Sequence, residues 1–287
     1  MRDGSDVGAP QPETTGGQSP ARRLALLVEY EGTRYLGFQL QAGQPTIQGE
    51  LEQGLERLTG RRVRVRGASR TDAGAHAQGQ VVDFLTESPL PLGTFPKGLN
   101  FYLPADIKVQ AAYEVVPEFH SRRSASGRTY RYQILNRPCP SPLLRLTHHW
   151  VREPLDAAPM ARAAHWLVGT QDFRPLAPGF PPQRSAVREV RRWSVWREGE
   201  TVLVECEANG FLPHQIRRAA GLLIEVGKGR LPEGIIQEVL AGTVPQKFQW
   251  PSAPACGLCL MAVSYPNFGS QVRTRTDEAD QHLFPKG

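Results

Sequence analysis

No run in this chain approaches the ~20 apolar residues that cross a bilayer, so no transmembrane helix is expected. The first residues lack the apolar core of a signal peptide, and their acids and Pro/Gly content do not suit a transit peptide. A cytoplasmic protein is the expectation. Cysteine is scarce: Cys139, Cys206, Cys256 and Cys259 are the four. Only the last two form a Cys-x-x-Cys, and no second pair or nearby histidine completes a zinc set. Their setting, Ala-Cys-Gly-Leu-Cys-Leu-Met-Ala-Val, reads as a buried strand in which a reduced thiol acts as a small hydrophobe. A Gly-rich phosphate loop is also missing, as is any short internal repeat. These gaps argue against a zinc fold, a disulfide scaffold and a P-loop nucleotide enzyme.

What is present is length and positive charge. The 287 residues suffice for a sizeable core and about two domains. The net charge of +6 is uneven: residues 1–20 carry −2, residues 268–287 carry none, and the body between them carries +8. Most of the basic residues are arginines, which fork onto phosphates and stack on bases. A nucleic acid or another polyphosphate is the partner this balance suggests, with salt-sensitive binding. A basic but uninvolved surface accounts equally well for charge alone. Residues 1–21 read as a disordered tail and 268–287 as a flexible one.

Between the tails the pattern alternates strands and helices. Arg23–Tyr30 is an apolar strand closed by Glu-Gly. Thr46 caps a helix with Ile47, Leu51, Leu55 and Leu58 on one face and Gly60 just past its end. Val63 and Val65 alternate with Arg62, Arg64 and Arg66 as a strand, and further strands are expected near 80–85 and 107–115. A first subdomain therefore covers 22–118. A second, 119–267, holds a strand near 129–135, a helix over 155–168, a Pro-rich loop at 174–183 and a hairpin of 187–196 with 202–208. Helices over 214–226 and 232–240 and a closing strand over 257–263 complete it. The expected fold is α+β: two related α/β-sandwich subdomains with joined, mostly antiparallel sheets and a cleft between them.

Residues 67–80, Gly-Ala-Ser-Arg-Thr-Asp-Ala-Gly-Ala-His-Ala-Gln-Gly-Gln, carry the clearest chemical signal. Asp72 stands in a basic, small-residue loop: its nearest acidic neighbour is Asp83, whereas Arg61, Arg62, Arg64, Arg66 and Arg70 all precede it. A solitary carboxylate suits a nucleophile or base better than a metal cage, which needs several hard oxygen ligands. The ordinary alternative is an Asp that caps a helix or a turn. Two distant segments add candidates. In Ser124–Tyr132, Arg128, Tyr130 and Tyr132 share one strand face; in Gly210–Arg218 a helix opens with Arg217 and Arg218. Taken singly, Tyr130 is a packed aromatic, Arg217 a solvated cation, and His76 and His214 hydrogen-bonded loop or cap histidines.

Taken in order, these segments resemble the TruA family of tRNA pseudouridine synthases over roughly residues 23–266. The family's G-R-T-D-A-G-V-H-A motif corresponds to Ser69–Ala77, and its Y-D-G-x-x-Y-x-G-W-Q-x-Q pattern to Tyr30–Gln41. Thr46–Glu52 resembles the first helix, Phe119–Ala125 with Tyr130–Tyr132 resembles F-H-A-R-F-S-A…Y-x-Y, and Phe211–Gly221 resembles F-L-x-x-M-V-R-x-x-x-G. Departures are Ser69 for Gly, Ala75 for Val, Phe38 for Trp, Arg123 for Phe and Gln215 for Met; Ser69 and Gln215 add polar atoms beside the site.

The resemblance implies that uridines in the anticodon arm of tRNA, at conventional positions 38, 39 and 40, are isomerised to pseudouridine by a homodimer without a cofactor. It makes Asp72 the catalytic nucleophile, Arg70 an aid in displacing the target nucleotide, Tyr130 the platform for the base and Arg217 the partner of Asp72. Gln39, His76, Arg128 and Arg218 are further candidate RNA contacts. Two rival readings use the same residues: a non-catalytic RNA-binding module, which a carboxylate facing phosphates disfavours, and a hydrolase with Asp72 and His76 as metal ligands, which lacks a third ligand nearby.

Overall fold

In the computed structural model, which describes residues 20–244 and 252–275, one eleven-stranded sheet carries the whole architecture. The strands are β1 (Arg22–Tyr30), β2 (Arg66–Gly67), β3 (His76–Thr86), β4 (Ile107–Val115), β5 (Gly127–Asn136), β6 (His149–Val151), β7 (Gly169–Asp172), β8 (Val187–Glu198), β9 (Thr201–Ala208), β10 (Leu258–Ser264) and β11 (Val272–Arg275). Their order is β11-β4-β1-β3-β10-β5-β9-β8-β7, with β2 added to β3 and β6 to β5. Pairing is antiparallel except between β10 and β3 and between β5 and β6. The helices are α1 (Ile47–Thr59), α2 (Thr94–Tyr102), α3 (Ala157–Ala164), α4 (Gln215–Gly227), α5 (Ile235–Ala241) and α6 (Phe268–Gln271). This is the expected α+β class with joined sheets. No helix among the described residues is long and apolar enough to cross a membrane.

Cross-strand register explains how the sheet is covered. Leu24 opposes Phe84, Leu26 opposes Val82 and Val28 opposes Gln80, so one face of β1 and β3 is apolar and takes α1 and α2, with Phe84 against Phe95 at 6.0 Å. In the second half Tyr130, Cys206 and Trp193 lie opposite one another on that same face, and α3 packs on β8 and α4. β10 then joins the halves: Cys259 pairs with His76 on one side and Arg131 on the other. The segment beginning at 268 was expected as a tail, yet 268–271 form a helical turn and 272–275 pair with β4 at the sheet's edge. Residues 1–19, within the expected N-terminal tail, and 276–287 lie outside the described residues.

Helix α1 forms as the sequence dictates. The Thr46 hydroxyl accepts from Gly49 N–H, a cap worth about 1 kcal/mol, and Gly60 closes it at φ 72°. The strand expected over 62–65 is absent; β2 is limited to Arg66 and Gly67. The reason lies in α1 side chains, because Glu52 accepts from Val65 N–H at 3.1 Å and Gln48 Nε2 donates to its carbonyl at 3.2 Å. The backbone of Val65 is thereby satisfied without a neighbouring strand.

On the opposite face of the sheet sits Asp83, with no exposed surface. Its carboxylate accepts from Arg23 Nη1 at 2.9 Å, from Arg66 Nε and Nη2, and from Ser121 N–H at 2.9 Å. Arg66 also donates to the Phe119 carbonyl, and Ser121 Oγ donates back to the Arg66 carbonyl at 2.8 Å. Asp83→Ala strips Arg23, Arg66 and the Ser121 N–H of their shared acceptor, and because both guanidiniums keep some contact with solvent an unfolding free energy lower by about 2 kcal/mol is expected in denaturant titrations.

Candidate active site

The loop of residues 68–75 joins β2 to β3 and is fixed at every point that matters. Ala68 N–H donates to Val81 O, continuing the ladder one step beyond β2. Next, the Gln80 side chain, wholly buried, accepts from Ser69 N–H at 3.1 Å and donates to Ser69 O at 2.8 Å, standing in for a neighbouring strand. The Thr71 hydroxyl meets the Tyr30 hydroxyl at 2.8 Å, and Thr71 O accepts from Phe38 N–H. A turn from Asp72 O to Ala75 N–H closes the loop. Two glycines allow the segment from 31 to 38 to lie this close: a Cβ at Gly32 would fall 1.9 Å from Ala75 O, and Gly37, at φ 85°, would put one 2.6 Å from Thr71 O. Asp72 is thus presented on a rigid frame, as a reacting group requires.

Helix α4 approaches from the second half. Arg217, in its first turn, donates from Nη1 to Asp72 Oδ2 at 3.1 Å, and its Nε is held by Ala253 O at 2.8 Å. His214, the N-cap residue, turns its ring toward the same oxygen, with Nδ1 3.0 Å from Oδ2. It does so from a left-handed backbone at φ 59°, which costs a side-chain-bearing residue roughly 1–2 kcal/mol. Oδ2 therefore carries both bonds, and Oδ1 accepts none from the described residues. Tyr130, on β5, lies beside this pair. It is 5 % exposed, packs edge-on against Phe211 at 5.5 Å, and shares a 2.7 Å hydrogen bond with Ser69 Oγ. Burial drives its phenol well above the ordinary value; the Ser69 bond opposes this and the charge of Asp72 adds to it. The hydroxyl is therefore a protonated group at neutral pH.

These residues line a cleft of about 590 Å³. Around its wall stand Arg70, Arg122, Arg128, Arg184, Arg188 and Arg217, and Asp72 is the sole acid among the lining residues. Desolvation, with repulsion from Arg70 and Arg184, pulls Arg122 below the usual guanidinium value. Arg188 is lowered chiefly by desolvation, then by Arg122, with Asp172 opposing. Unpaired cations that repel one another in a concave wall form a seat for polyanions.

The other expected contacts fall differently. Arg128 lines the cleft, but its guanidinium is occupied by the carbonyls of Ala68, Arg122, Ala125 and Asn209, so it braces the walls. Gln39 donates to Gln48 Oε1 at 2.8 Å, outside the cleft wall. His76 is buried away from it: Nδ1 accepts from Gly32 N–H, and Nε2 is left to donate to Cys256 O, which is the neutral tautomer. It staples the Gly32 loop, β3 and the approach to β10. Arg218 is also absent from the wall; burial and the charge of Arg217 lower it. Gln215 lines the cleft, as expected beside the site, but is fully buried, its Oε1 accepting from Leu212 N–H. Sequence reading missed His214 as a partner of Asp72, and it missed Arg184 and Arg188. The two arginines follow a Pro-rich stretch whose path only the fold reveals.

Comparison with known proteins finds relatives over most of the chain. A family model described as tRNA pseudouridine synthase matches residues 26–122 and 163–266. Among curated relatives, "tRNA pseudouridine synthase A" of Myxococcus xanthus is 46% identical over 253 residues, covering 88% of this chain and 95% of the relative. The proteins of the same name from Pelobacter propionicus and Moorella thermoacetica are each 42% identical, covering 85% and 84% of this chain and 100% and 99% of their own lengths.

The loop frame is testable apart from any activity. Gln80→Met keeps volume but strips Ser69 of both backbone bonds, so a loss of about 2–3 kcal/mol in denaturant unfolding is expected. Faster amide exchange at Ser69, with strand β1 unchanged, is the local signature.

Proposed function

The chain belongs to the tRNA pseudouridine synthase family, and from that membership we propose that Asp72 is the nucleophile with which it isomerises uridine in the anticodon arm of tRNA. The observation that carries this reading is the Asp72–Arg217 pair, made by a loop of the first half and a helix of the second, in a cleft where Asp72 is the one acid among several lining arginines. Isomerisation detaches uracil from C1′, turns it and rejoins it through C5, with no net redox change and no hydrolysis. A single well-oriented carboxylate suffices to open that sequence. Arg217 and His214 bind Oδ2, which leaves Oδ1 as the attacking atom. A neighbouring cation favours the ionised carboxylate that attack requires.

The freed base has to be retained while it turns. The buried edge of Tyr130 and the ring of Phe211 supply an apolar floor for it, and the protonated Tyr130 hydroxyl supplies a donor. A stacked uridine cannot reach this floor, so the nucleotide is extruded at a cost of a few kcal/mol. Arg70, exposed on the rim without a described partner, suits the space it leaves, and Arg122, Arg184 and Arg188 suit the flanking phosphates. Such contacts orient RNA without reading its sequence. Positions 38, 39 and 40, a homodimer with one tRNA laid across two copies, and a cytoplasmic, cofactor-free enzyme rest on the family resemblance.

Asp72→Asn is expected to abolish tritium release from tRNA bearing 5-tritiated uridine while tRNA binding persists; release at the wild-type rate overturns the nucleophile. Mapping pseudouridine in tRNA from cells with and without the protein tests the anticodon-arm assignment. The double change Arg122→Ala and Arg188→Ala should weaken all tRNAs alike. It should also reduce the slope of log affinity against log salt by roughly 1–2, as fits two lost phosphate contacts.

A further inference from the structure

Rejoining uracil through C5 leaves that carbon bearing both the new C1′ bond and its original hydrogen, so a base must remove a proton. The cleft offers few candidates. Its arginines are permanently protonated. Asp72 is released as C5 takes C1′, and its Oδ2 stays bound to Arg217 and His214. Tyr130 is hydrogen-bonded to Ser69, and burial together with the charge of Asp72 keeps its phenol protonated. One lining side chain remains whose neutral form offers a basic nitrogen. His214 puts Nδ1 3.0 Å from Asp72 Oδ2, and a carboxylate oxygen only accepts, so Nδ1 carries the hydrogen and the lone pair of the neutral ring sits on Nε2. That side chain is half exposed, and no described residue bonds Nε2.

We propose that His214 is a catalytic base of the isomerisation, taking the C5 proton of the rejoined uracil onto Nε2. The proposal rests on the synthase reading. As C5 joins C1′, the bond from Asp72 Oδ1 breaks and its pair returns to the carboxylate; in the step itself the C5–H bond then breaks and its electron pair re-forms the C5–C6 double bond. The N1–C6 double bond of the intermediate moves its pair onto N1, which takes a proton from water, and the imidazolium returns its own proton to solvent. Nothing is oxidised or reduced. The Asp–His arrangement is the one by which an imidazole is held in a single tautomer for proton transfer. Attack through Oδ1 would leave Oδ2 as a carbonyl oxygen, still accepting from both Arg217 and His214, so the ring keeps its aim through the covalent stage.

Two further facts favour a functional role. His214 stands at the N-cap of α4 yet makes no capping bond; the left-handed backbone at φ 59° sends its ring to Asp72 instead. Non-glycine residues persist in such conformations where the surroundings over-determine them, most often at reaction sites. The charged groups facing the ring are Asp72 from the β2–β3 loop and Arg217 of its own helix, whose Nη1 lies 3.5 Å from Nδ1. Arg70, Arg122, Arg184 and Arg188 share the cleft.

The decisive variants are His214→Gly and His214→Asn in the full-length protein. Glycine adopts the positive φ without strain and leaves a hole open to solvent. Single-turnover tritium release should fall roughly 10²–10⁴-fold, the usual worth of a positioned base, with tRNA affinity unchanged. Added imidazole should restore the rate in proportion to its unprotonated fraction. Asparagine tolerates the same backbone and retains an N–H for Asp72 but has no basic nitrogen, so it should stay slow. A wild-type rate in His214→Asn, or failure of imidazole to rescue His214→Gly, overturns the proposal. If the wild-type protein itself releases no tritium, the synthase reading falls with it.

Discussion

A carboxylate stripped of water must be surrounded by donors, and the donors gathered by Asp83 decide where the Ala68–Ala75 loop begins. Arg23 belongs to β1, Arg66 to β2 and Ser121 to the turn after β4, so one side chain on β3 draws three separate segments together. Arg66 is the first residue of the two-residue strand that leads into Ala68–Ala75, and Ser121 immediately precedes Arg122 on the cleft wall. Three residues earlier on β3, Gln80 points to the other face and clasps Ser69. Two buried polar side chains on alternate faces thus fix the start of the loop and its course. Loss of either leaves donors unpaired in a dry interior, which is dearer than the bond itself.

The second half contributes in the same manner but across a longer span of sequence. The Tyr130 ring, Phe211 and Trp193 pack edge-on from β5, the α4 approach and β8, forming an apolar floor beside Asp72 and Arg217. Arg128 then ties Ala68 of the first half to Asn209 of the second through its guanidinium. The cleft therefore has a stiff base and a cationic rim, an arrangement that lets phosphate contacts vary while the geometry at Asp72 does not.

Much of this was legible in the residues because local rules sufficed. Thr46 and Gly60 bound α1 where propensity says they should, β4 spans the expected 107–115, and Tyr130 with Arg217 converges on the Asp72 loop as the ordered motifs implied. Where tertiary contacts override local preference, the sequence was silent or misleading. Val63 and Val65 alternate like a strand, but Glu52 and Gln48 satisfy the Val65 backbone first. Helix α2 has no side-chain cap, and Pro96, which its first turn tolerates, reads equally well as a turn residue. His76 stands in the motif beside Asp72 yet serves as a buried staple, whereas His214, 142 residues away, reaches the carboxylate. One-dimensional proximity misranked those two histidines, because aim depends on backbone conformation that no pattern encodes.

The middle of the sheet is closed by a strand from late in the sequence. β10 occupies the slot between β3 and β5, pairing Cys259 with His76 across most of the chain's length. During synthesis the two halves emerge with facing strand edges unpaired, and unpaired edges invite contact with other chains. The cationic walls are made long before the strand that locks them together, so a nascent or truncated polypeptide has the charge to meet RNA but not the frame to act on it. Residues 258–264 thus fill the seam between the halves, and the cleft has its full frame only with that strand paired on both sides.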